Sequence, residues 1–572
     1  MKKHLLSLSL VALATTQAMA ASSYRLEVID GPVGKYNIQA QSITPDGRIV
    51  GAIISRIRYN ADSDTYVDNM GFLDSDQLAS LSSTMKLKGE LVSATDLSMK
   101  VAGTSFGFLS APDITLDKAF GSSANTDISV WSKLMKVSDQ NKFGNGSAIW
   151  QQTSYQDSDG NSATGYYRQF YVRGFLENAQ GTQVAQPVYT LPGVDSGETA
   201  GADRIGGESL IADANSQWAV GTSSVALTSS GQSAYDGCNS STIGVPAILC
   251  FRSSGLIGIP GSGKYQDQAT YWPISNGSLG APVALGGLIS KQGNELEENI
   301  VSSLRAVNSN GIAVGTSVDR NSNGNLLVGA GGQGAVATVF DLNTGKAIKA
   351  INDVNSDNFL SSEANDINNS GIVVGARTKQ DGSYTLKQFF VYNTQDDSIS
   401  YPDTFYASAN STANAINDQG LVVGSADWER LPPSSSRRRH AFIYDTSTKT
   451  FTDLNNLLEF DSSLVTQDYS GSTCNARADW VLEDAVAIND NGDIAATAVT
   501  TLRDSSGAPI LDADGNKQYV LRAVKLVPTA DTPQSCTAEQ DQPYKRKGAS
   551  FGFWGVLAMA GLGFWRRRHN RV

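Results

Sequence analysis

Ala415-Ile416-Asn417-Asp418-Gln419-Gly420-Leu421-Val422-Val423-Gly424 is the stretch that decides the fold. Ala415 and Ile416 close a strand, Asn417 to Gly420 supply the Asx start and the glycine of a hairpin turn, and Leu421 to Val423 run back. After a loop at 432–436, His440-Ala441-Phe442-Ile443-Tyr444-Asp445 alternates as a third strand, and Phe451-Thr452-Asp453-Leu454 is a fourth. Four antiparallel strands in about 40 residues make one small twisted sheet. Such a sheet cannot bury its apolar face alone, so it must stack on copies of itself.

The copies are in the chain. Ala306-Val307-Asn308 leads to Gly311 and Val314-Gly315, and Asp366-Ile367-Asn368 leads to Gly371 and Val374-Gly375. Weaker copies run from Ile43-Thr44 to Gly51, Thr95-Asp96 to Gly103, Ala214-Asn215 to Gly221 and Ile488-Asn489 to Ala496, with a degenerate one from Val137 to Gly144. Third-strand text recurs at Ala247 to Phe251, Ala269 to Trp272, Ala337 to Phe340, Gln388 to Tyr392 and Leu521 to Leu526. The uneven spacing places insertions in surface loops. The expected fold is therefore all-β, a β-propeller of about seven four-stranded blades, with stacked sandwiches or a solenoid as the alternatives. Tyr24 to Ile29 and Tyr519 to Val527 both alternate, as they would if the chain ends met in one blade and hid a strand edge.

The phrase Ala-Ile-Asn-x-x-Gly-x-Val-Val-Gly followed by His-Ala-Phe-Ile-Tyr resembles the HAF family of extracellular repeats. The overall plan is similar to the exported DUF3466 proteins of Gram-negative bacteria. The resemblance spans most of residues 40 to 500. It implies architecture and location, and it transfers no catalytic residue.

Both ends carry targeting text. Lys2, Lys3 and His4 precede an apolar run from Leu5 to Leu13 and then Ala18-Met19-Ala20, the three parts of a secretory signal that signal peptidase would remove. At the other end Gly548 to Trp565 is uncharged and is followed by Arg566-Arg567-Arg568, which reads as a short membrane helix with its arginines in the cytoplasm. The tail resembles the GlyGly-CTERM sorting signals cut by rhomboid-type proteases, with Gly548-Ala549-Ser550 in the signature position. The expected organisation is a signal peptide over 1–20, a β-repeat ectodomain over 21–530, a linker over 531–547, a sorting helix over 548–565 and a basic end over 566–572.

The formal charge of −12 understates the ectodomain, because Lys2, Lys3, Arg566, Arg567, Arg568 and Arg571 lie in its targeting ends; without those six it is about −18. Such a surface repels phosphate backbones, so nucleic acid is not an expected partner. Four cysteines in an exported chain predict two disulfides, and nearness in sequence favours Cys238 with Cys250 and Cys474 with Cys536.

Chemistry is mostly excluded. His440 is the only histidine between the targeting ends, and it starts a strand that the repeat itself requires, so a catalytic triad and a two-histidine metal site have no basis. No phosphate-binding glycine loop opens a helix; Gly329 to Gly334 reads as a flexible loop. Arg437-Arg438-Arg439 reads as solvated loop charge, and Glu198, Asp203, Glu208, Glu295, Glu297 and Glu298 as surface acids. The one metal candidate is Asp319, Asn321 and Asn323, before Gly324, spaced like the start of a calcium loop. Ala330 stands where that loop needs a glutamate, and a hairpin turn explains the same residues; Asp157 to Gly160 and Asp512 to Gly515 are shorter versions. No other cofactor is expected.

The reading is a non-catalytic binding or structural propeller of the envelope, with a protein or polysaccharide ligand. Its rival is a carboxylate-based hydrolase or lyase acting on extracellular polysaccharide.

Overall fold

The structure is a computed structural model. It describes residues within 23–530, apart from the segments 30–36, 69–103, 110–131, 193–203, 350–357 and 460–479 and several shorter gaps. The weak repeat at Thr95, Cys474, Cys536 and both ends expected to carry targeting signals therefore lie outside the described residues.

Six four-stranded antiparallel arrays form the blades of a β-propeller, four of them separate sheets, one with an extra two-residue strand and one continuous with three further strands through a parallel pairing. In chain order, blade A comprises Ser132–Ser138, Asn141–Gly146, Arg173–Asn178 and Gly181–Ala185. Blade B comprises Ser209–Ala214, Trp218–Leu227, Tyr265–Ser275 and Val283–Gly286, and blade C Ser302–Val307, Ile312–Val318, Ala335–Asp341 and Lys346–Lys349. Blade D holds Phe359–Ile367, Ile372–Asp381, Tyr384–Asn393 and Ser398–Ser400, and blade E Ser411–Ile416, Leu421–Asp427, Arg439–Asp445 and Thr450–Asp453. Blade F joins Trp480–Ile488, Ile494–Thr501 and Tyr519–Thr529 to the N-terminal strand Ser23–Val28, which pairs antiparallel with Tyr519–Thr529. The two ends of the described region thus meet in one blade. Asn37–Ile43, Ile49–Ser55 and Thr104–Leu109 form a three-stranded unit whose first strand packs between blades F and A.

Each blade's first strand is innermost and packs across the first three strands of the blade before it, most closely on the second and third in blades C to F. The core lies between blades. Phe389 of blade D, for example, meets Phe442 of blade E at 5.0 Å between ring centroids, among Val374, Ala413, Ile416 and Tyr444. Full burial of one such aromatic stabilises by about 1.5–3 kcal/mol.

The repeat motif is explained by two polar belts and two glycines. At the end of each innermost strand, the motif asparagine folds its Oδ1 onto its own turn; Asn417 accepts there from Leu421 N at 2.9 Å. Its amide is left to reach the next blade. Asn215 donates to Asn308 O, Asn308 to Asn368 O, Asn368 to Asn417 O and Asn417 to Asn489 O, each at 3.1 Å. Asn489 continues the belt to Thr44 O at 3.2 Å. Where the innermost strands begin, buried serines repeat the device: Ser302, Ser362 and Ser411 accept from Ala269 N, Ala337 N and Phe389 N of the preceding blade at 2.9, 2.8 and 3.0 Å. The first motif glycine takes left-handed backbone, φ +81° at Gly420. The second lies against the innermost strand, where a Cβ on Gly424 would sit 2.0 Å from Thr412 O.

Two expectations are corrected. Ala247 to Phe251 is not a third strand but belongs to a helix, Ala247–Ser253 (α2). It follows α1, Ser229–Cys238, in an insertion between the second and third strands of blade B, with Pro246 at its N-cap, where proline's fixed φ suits a helix start. Gly329 to Gly334 is not a loose loop: Val328–Gly329 pairs with Gly332–Gln333 as a small hairpin.

Candidate functional site

Opposite each second motif glycine the innermost strand carries one residue too many. The ladder shifts between Ala40 and Ser42, Leu134 and Lys136, Ile211 and Asp213, Leu304 and Ala306, Ala364 and Asp366, and Ala413 and Ala415. A bulge re-aims its side chain and accepts the close strand contact that a glycine opposite permits. The extra residues are Gln41, Met135, Ala212, Arg305, Asn365 and Asn414, and all are at least partly exposed. Exposure on an innermost strand is exposure to the axial channel, which is therefore open to water at this level; the Arg305 side chain is 43% exposed.

The channel's charges are engaged across blades. Arg305 Nη2 meets Glu363 Oε2 at 2.9 Å and Nη1 donates to Asn365 Oδ1 at 2.8 Å, while Lys387 Nζ meets Glu363 Oε1 at 2.6 Å. Asn365 donates to Ala413 O at 2.8 Å, and Asn414 to Asp484 Oδ1 at 2.7 Å. Nearer the asparagine belt, Lys136 Nζ lies 3.1 Å from Asp213 Oδ1, and Asp213 Oδ2 accepts from Val307 N at 3.1 Å. Asp366 accepts from Ile416 N at 2.9 Å in the same way.

The electrostatics follow. Burial works to raise the Glu363 carboxyl, but Arg305 and Lys387 outweigh it and hold it below the usual range. Asp366 is pushed up to about 7 by burial, with Asp213 adding to the rise and Ile416 N opposing it. Asp213 raises the Lys136 ammonium against its desolvation. Asp213, Glu363, Asp366 and Asp484 each already hold a donor.

Other expected site residues are dispersed. Cys238 and Cys250 are joined, with Cα atoms 5.4 Å apart, and tie α1 to α2. Asn321 Oδ1 accepts from Asn323 N and Asn325 N at 3.0 and 3.1 Å, and Asp319 Oδ1 accepts from Arg320 N at 2.8 Å, so a hairpin turn uses these oxygens. Arg320 also places a guanidinium on Gly324 O at 3.0 Å and pairs with Glu295, a positive charge that works against a cation in this loop. Among the described residues no three His, Cys, Asp or Glu side chains come together to hold a metal.

His440 Nδ1 lies 2.7 Å from Asp453 Oδ2, and its ring stacks on Trp428 at 4.4 Å. Of the three arginines before it only Arg438 is solvated: Arg437 and Asp427 form an ion pair at 3.0 Å with side chains 6% and 7% exposed, and Arg439 donates to Ser425 O.

Glu208 is the residue that sequence reasoning misplaced. It is 8% exposed, not a surface acid: it immediately precedes the innermost strand of blade B and lies near Tyr265, which packs with Cys238 and Phe251 of the α1–α2 insertion. Its carboxyl makes no hydrogen bond or ion pair among the described residues. Burial pushes it up to about 9, with Asp267 adding to the rise; Asp267 itself is raised by burial and accepts from Ser224 Oγ at 3.0 Å. Ser224 Oγ also accepts from Glu208 N. Only the helix-capped insertion, which reads as a strand, could have signalled this.

A sequence model described as "Protein of unknown function (DUF3466)" matches residues 2–568. No curated protein matches the chain. Solved structures resemble it weakly. A protein of unknown function from Dyadobacter fermentans is 10% identical with a TM-score of 0.32, covering 89% of this chain and 99% of that one. An oligogalacturonate lyase from Vibrio parahaemolyticus is 11% identical at 0.32 with the same coverages, and a putative TolB from Agrobacterium tumefaciens is 8% identical at 0.25, covering 54% and 80%. Scores this low do not bear on the site.

Proposed function

We propose, for a chain that belongs to the DUF3466 family of proteins of unknown function, an exported, envelope-associated propeller that binds a ligand at its axial channel without catalysis. One observation carries this reading: the four channel carboxylates are each committed to a donor that ties blades together. A general acid or base needs a proton it can release or take at the reacting atom; even Asp366, pushed up to about 7, spends both oxygens on the main-chain N–H groups of Ile367 and Ile416. A binding surface needs only fixed, partly exposed donors and acceptors, which the bulge residues supply.

The rival is a carboxylate-based hydrolase or lyase on extracellular polysaccharide, and the Glu208–Asp267 pair favours it. A carboxyl protonated at neutral pH beside a second carboxyl is what a general acid requires. Against it, Glu208 is only 8% exposed, which leaves little room for a sugar ring to reach its carboxyl. Incubating the mature protein with polysaccharides and following both binding and new reducing ends separates the readings; saturable binding without product supports ours.

The finer architecture belongs to the same proposal. The unit Asn37–Ile43, Ile49–Ser55 and Thr104–Leu109 acts as the seventh blade, receiving the belt from Asn489. A signal over 1–20 sends the chain out, and Gly548 to Trp565, opening with Gly548-Ala549-Ser550 and followed by Arg566 to Arg568, holds it at the membrane until a rhomboid-type protease removes it. Among the described residues no helix is long and apolar enough to cross a membrane. C-terminal peptide mass spectrometry on mature protein is the check: peptides ending at Val572 in most molecules would reject removal.

A further inference from the structure

Two lysines stand three residues apart on the innermost strand of blade A, and only one has a counter-ion. Lys136 has Asp213. Lys133 is partly buried, yet its ammonium makes no ion pair or hydrogen bond among the described residues. Desolvation lowers its pKa, and nothing raises it again.

The strand register shows what lies around it. Lys133 is opposite Asn145, as Gln39 is opposite Ala52, Leu210 opposite Thr222 and Glu363 opposite Ala376 in their own sheets, so these residues share one level of the ring. The units flanking blade A place Gln39 on one side and Leu210 on the other. Neither carries charge. Glu363, on blade D, is held by Arg305 and Lys387. Leu134, the next residue along, is buried in the core, so alternation turns Lys133 to the opposite, partly exposed side of the strand.

A desolvated ammonium without a partner is costly and is normally completed by an anion. The side chain of Gln39 also makes no hydrogen bond among the described residues, which leaves an amide donor at the same level. Gln41 and the half-exposed Arg305 lie one level further along the channel. Met135 and Leu210 give the neighbourhood apolar flanks.

Building on the axial binding proposed above, we propose that Lys133, with Gln39 at the same level of the adjoining innermost strand, is an anion site in the axial channel that takes the carboxylate of a small or chain-end ligand. A single ammonium with one amide and apolar flanks suits a carboxylate on a carbon skeleton, whereas phosphate recognition favours a guanidinium fork or clustered main-chain N–H groups.

Titration of the full mature protein by calorimetry tests this, using glucuronate and tri-glucuronate as saccharide probes, glutamate and tri-glutamate as peptide probes, and neutral glucose and maltotriose as controls. One carboxylate series is expected to saturate while the neutral sugars do not, which also identifies the source of the carboxylate. Lys133→Gln should weaken that binding at least 10-fold and Lys133→Arg less than 3-fold, with both melting temperatures near that of the parent. Equal binding by Lys133→Gln, or no carboxylate binding by the parent, overturns the site. Binding of maltotriose unaffected by Lys133→Gln would overturn the site while leaving the axial reading intact; release of products would overturn the axial reading instead.

Discussion

The side-chain amide of Asn417 donates to the main-chain carbonyl of Asn489 at 3.1 Å, across the boundary between blades E and F. The same side chain accepts from Leu421 N within its own turn. One residue type thus shapes the turn and fastens it to its neighbour, which is why the motif keeps asparagine there.

Asn417→Ala should therefore lose both roles and cost about 1–3 kcal/mol, whereas Asn417→Asp keeps the turn acceptor and loses only the donor to blade F. Urea unfolding of the two variants is expected to rank parent, Asp and Ala in falling stability. Equal stability of parent and Ala would remove the belt from the account.

The two motif glycines should respond differently to alanine. Gly420→Ala meets left-handed strain, about 1 kcal/mol, and the Thr446 hydroxyl, a side-chain tip that can turn away at the loss of its hydrogen bond to Gly420 O. Gly424→Ala places a methyl carbon 2.0 Å from Thr412 O and must deform the bulge, so its loss should be several-fold larger. Thermal melts of both variants decide the order.

Much of this was legible because the repeat is local. The turn, its glycine and the alternating third strand of blade E read directly from residues 415 to 445, and nearness in sequence correctly paired Cys238 with Cys250. What was illegible was inter-blade. Asn417 looked like turn chemistry alone, since its partner lies 72 residues away. Arg305 and Asn365 gave no signal because a bulge, not a spacing, turns them to the axis. The apolar run Ala247-Ile248-Leu249-Cys250-Phe251 matched a strand, but the proline before it and the disulfide within the insertion favoured a helix. Glu208 looked exposed because nothing in its local sequence announces its burial near Tyr265, 57 residues further on.

Glu208 gives a pH dependence with a definite sign. Its folded carboxyl titrates near 9, above the usual 4.5 of the unfolded chain, so the folded state holds a proton that the unfolded state releases. Stability from this group is complete below about pH 4.5 and declines as pH rises toward 9; Asp267, also raised, acts in the same direction. Glu208→Gln should flatten the decline in melting temperature between pH 6 and 9. A parent-like slope in that variant would place the titration elsewhere.

The N-terminal strand completes blade F, where Tyr24 and Leu26 are buried against Val524 and Leu526. A mature chain beginning at residue 31 exposes that core and the edge of Tyr519–Thr529. Its melting temperature should fall markedly, and an unchanged value would show that the strand is dispensable for ring closure.

The most direct test of a binding propeller is to incubate the mature protein and its Glu208→Gln variant with acidic and neutral polysaccharides, measuring bound ligand and cleaved product in the same samples. The account predicts saturable binding to a carboxylated ligand, equal in both proteins, with no new chain ends. Cleaved oligosaccharides produced by the parent and absent with Glu208→Gln would contradict it and make the buried carboxyl pair a catalytic acid and its partner.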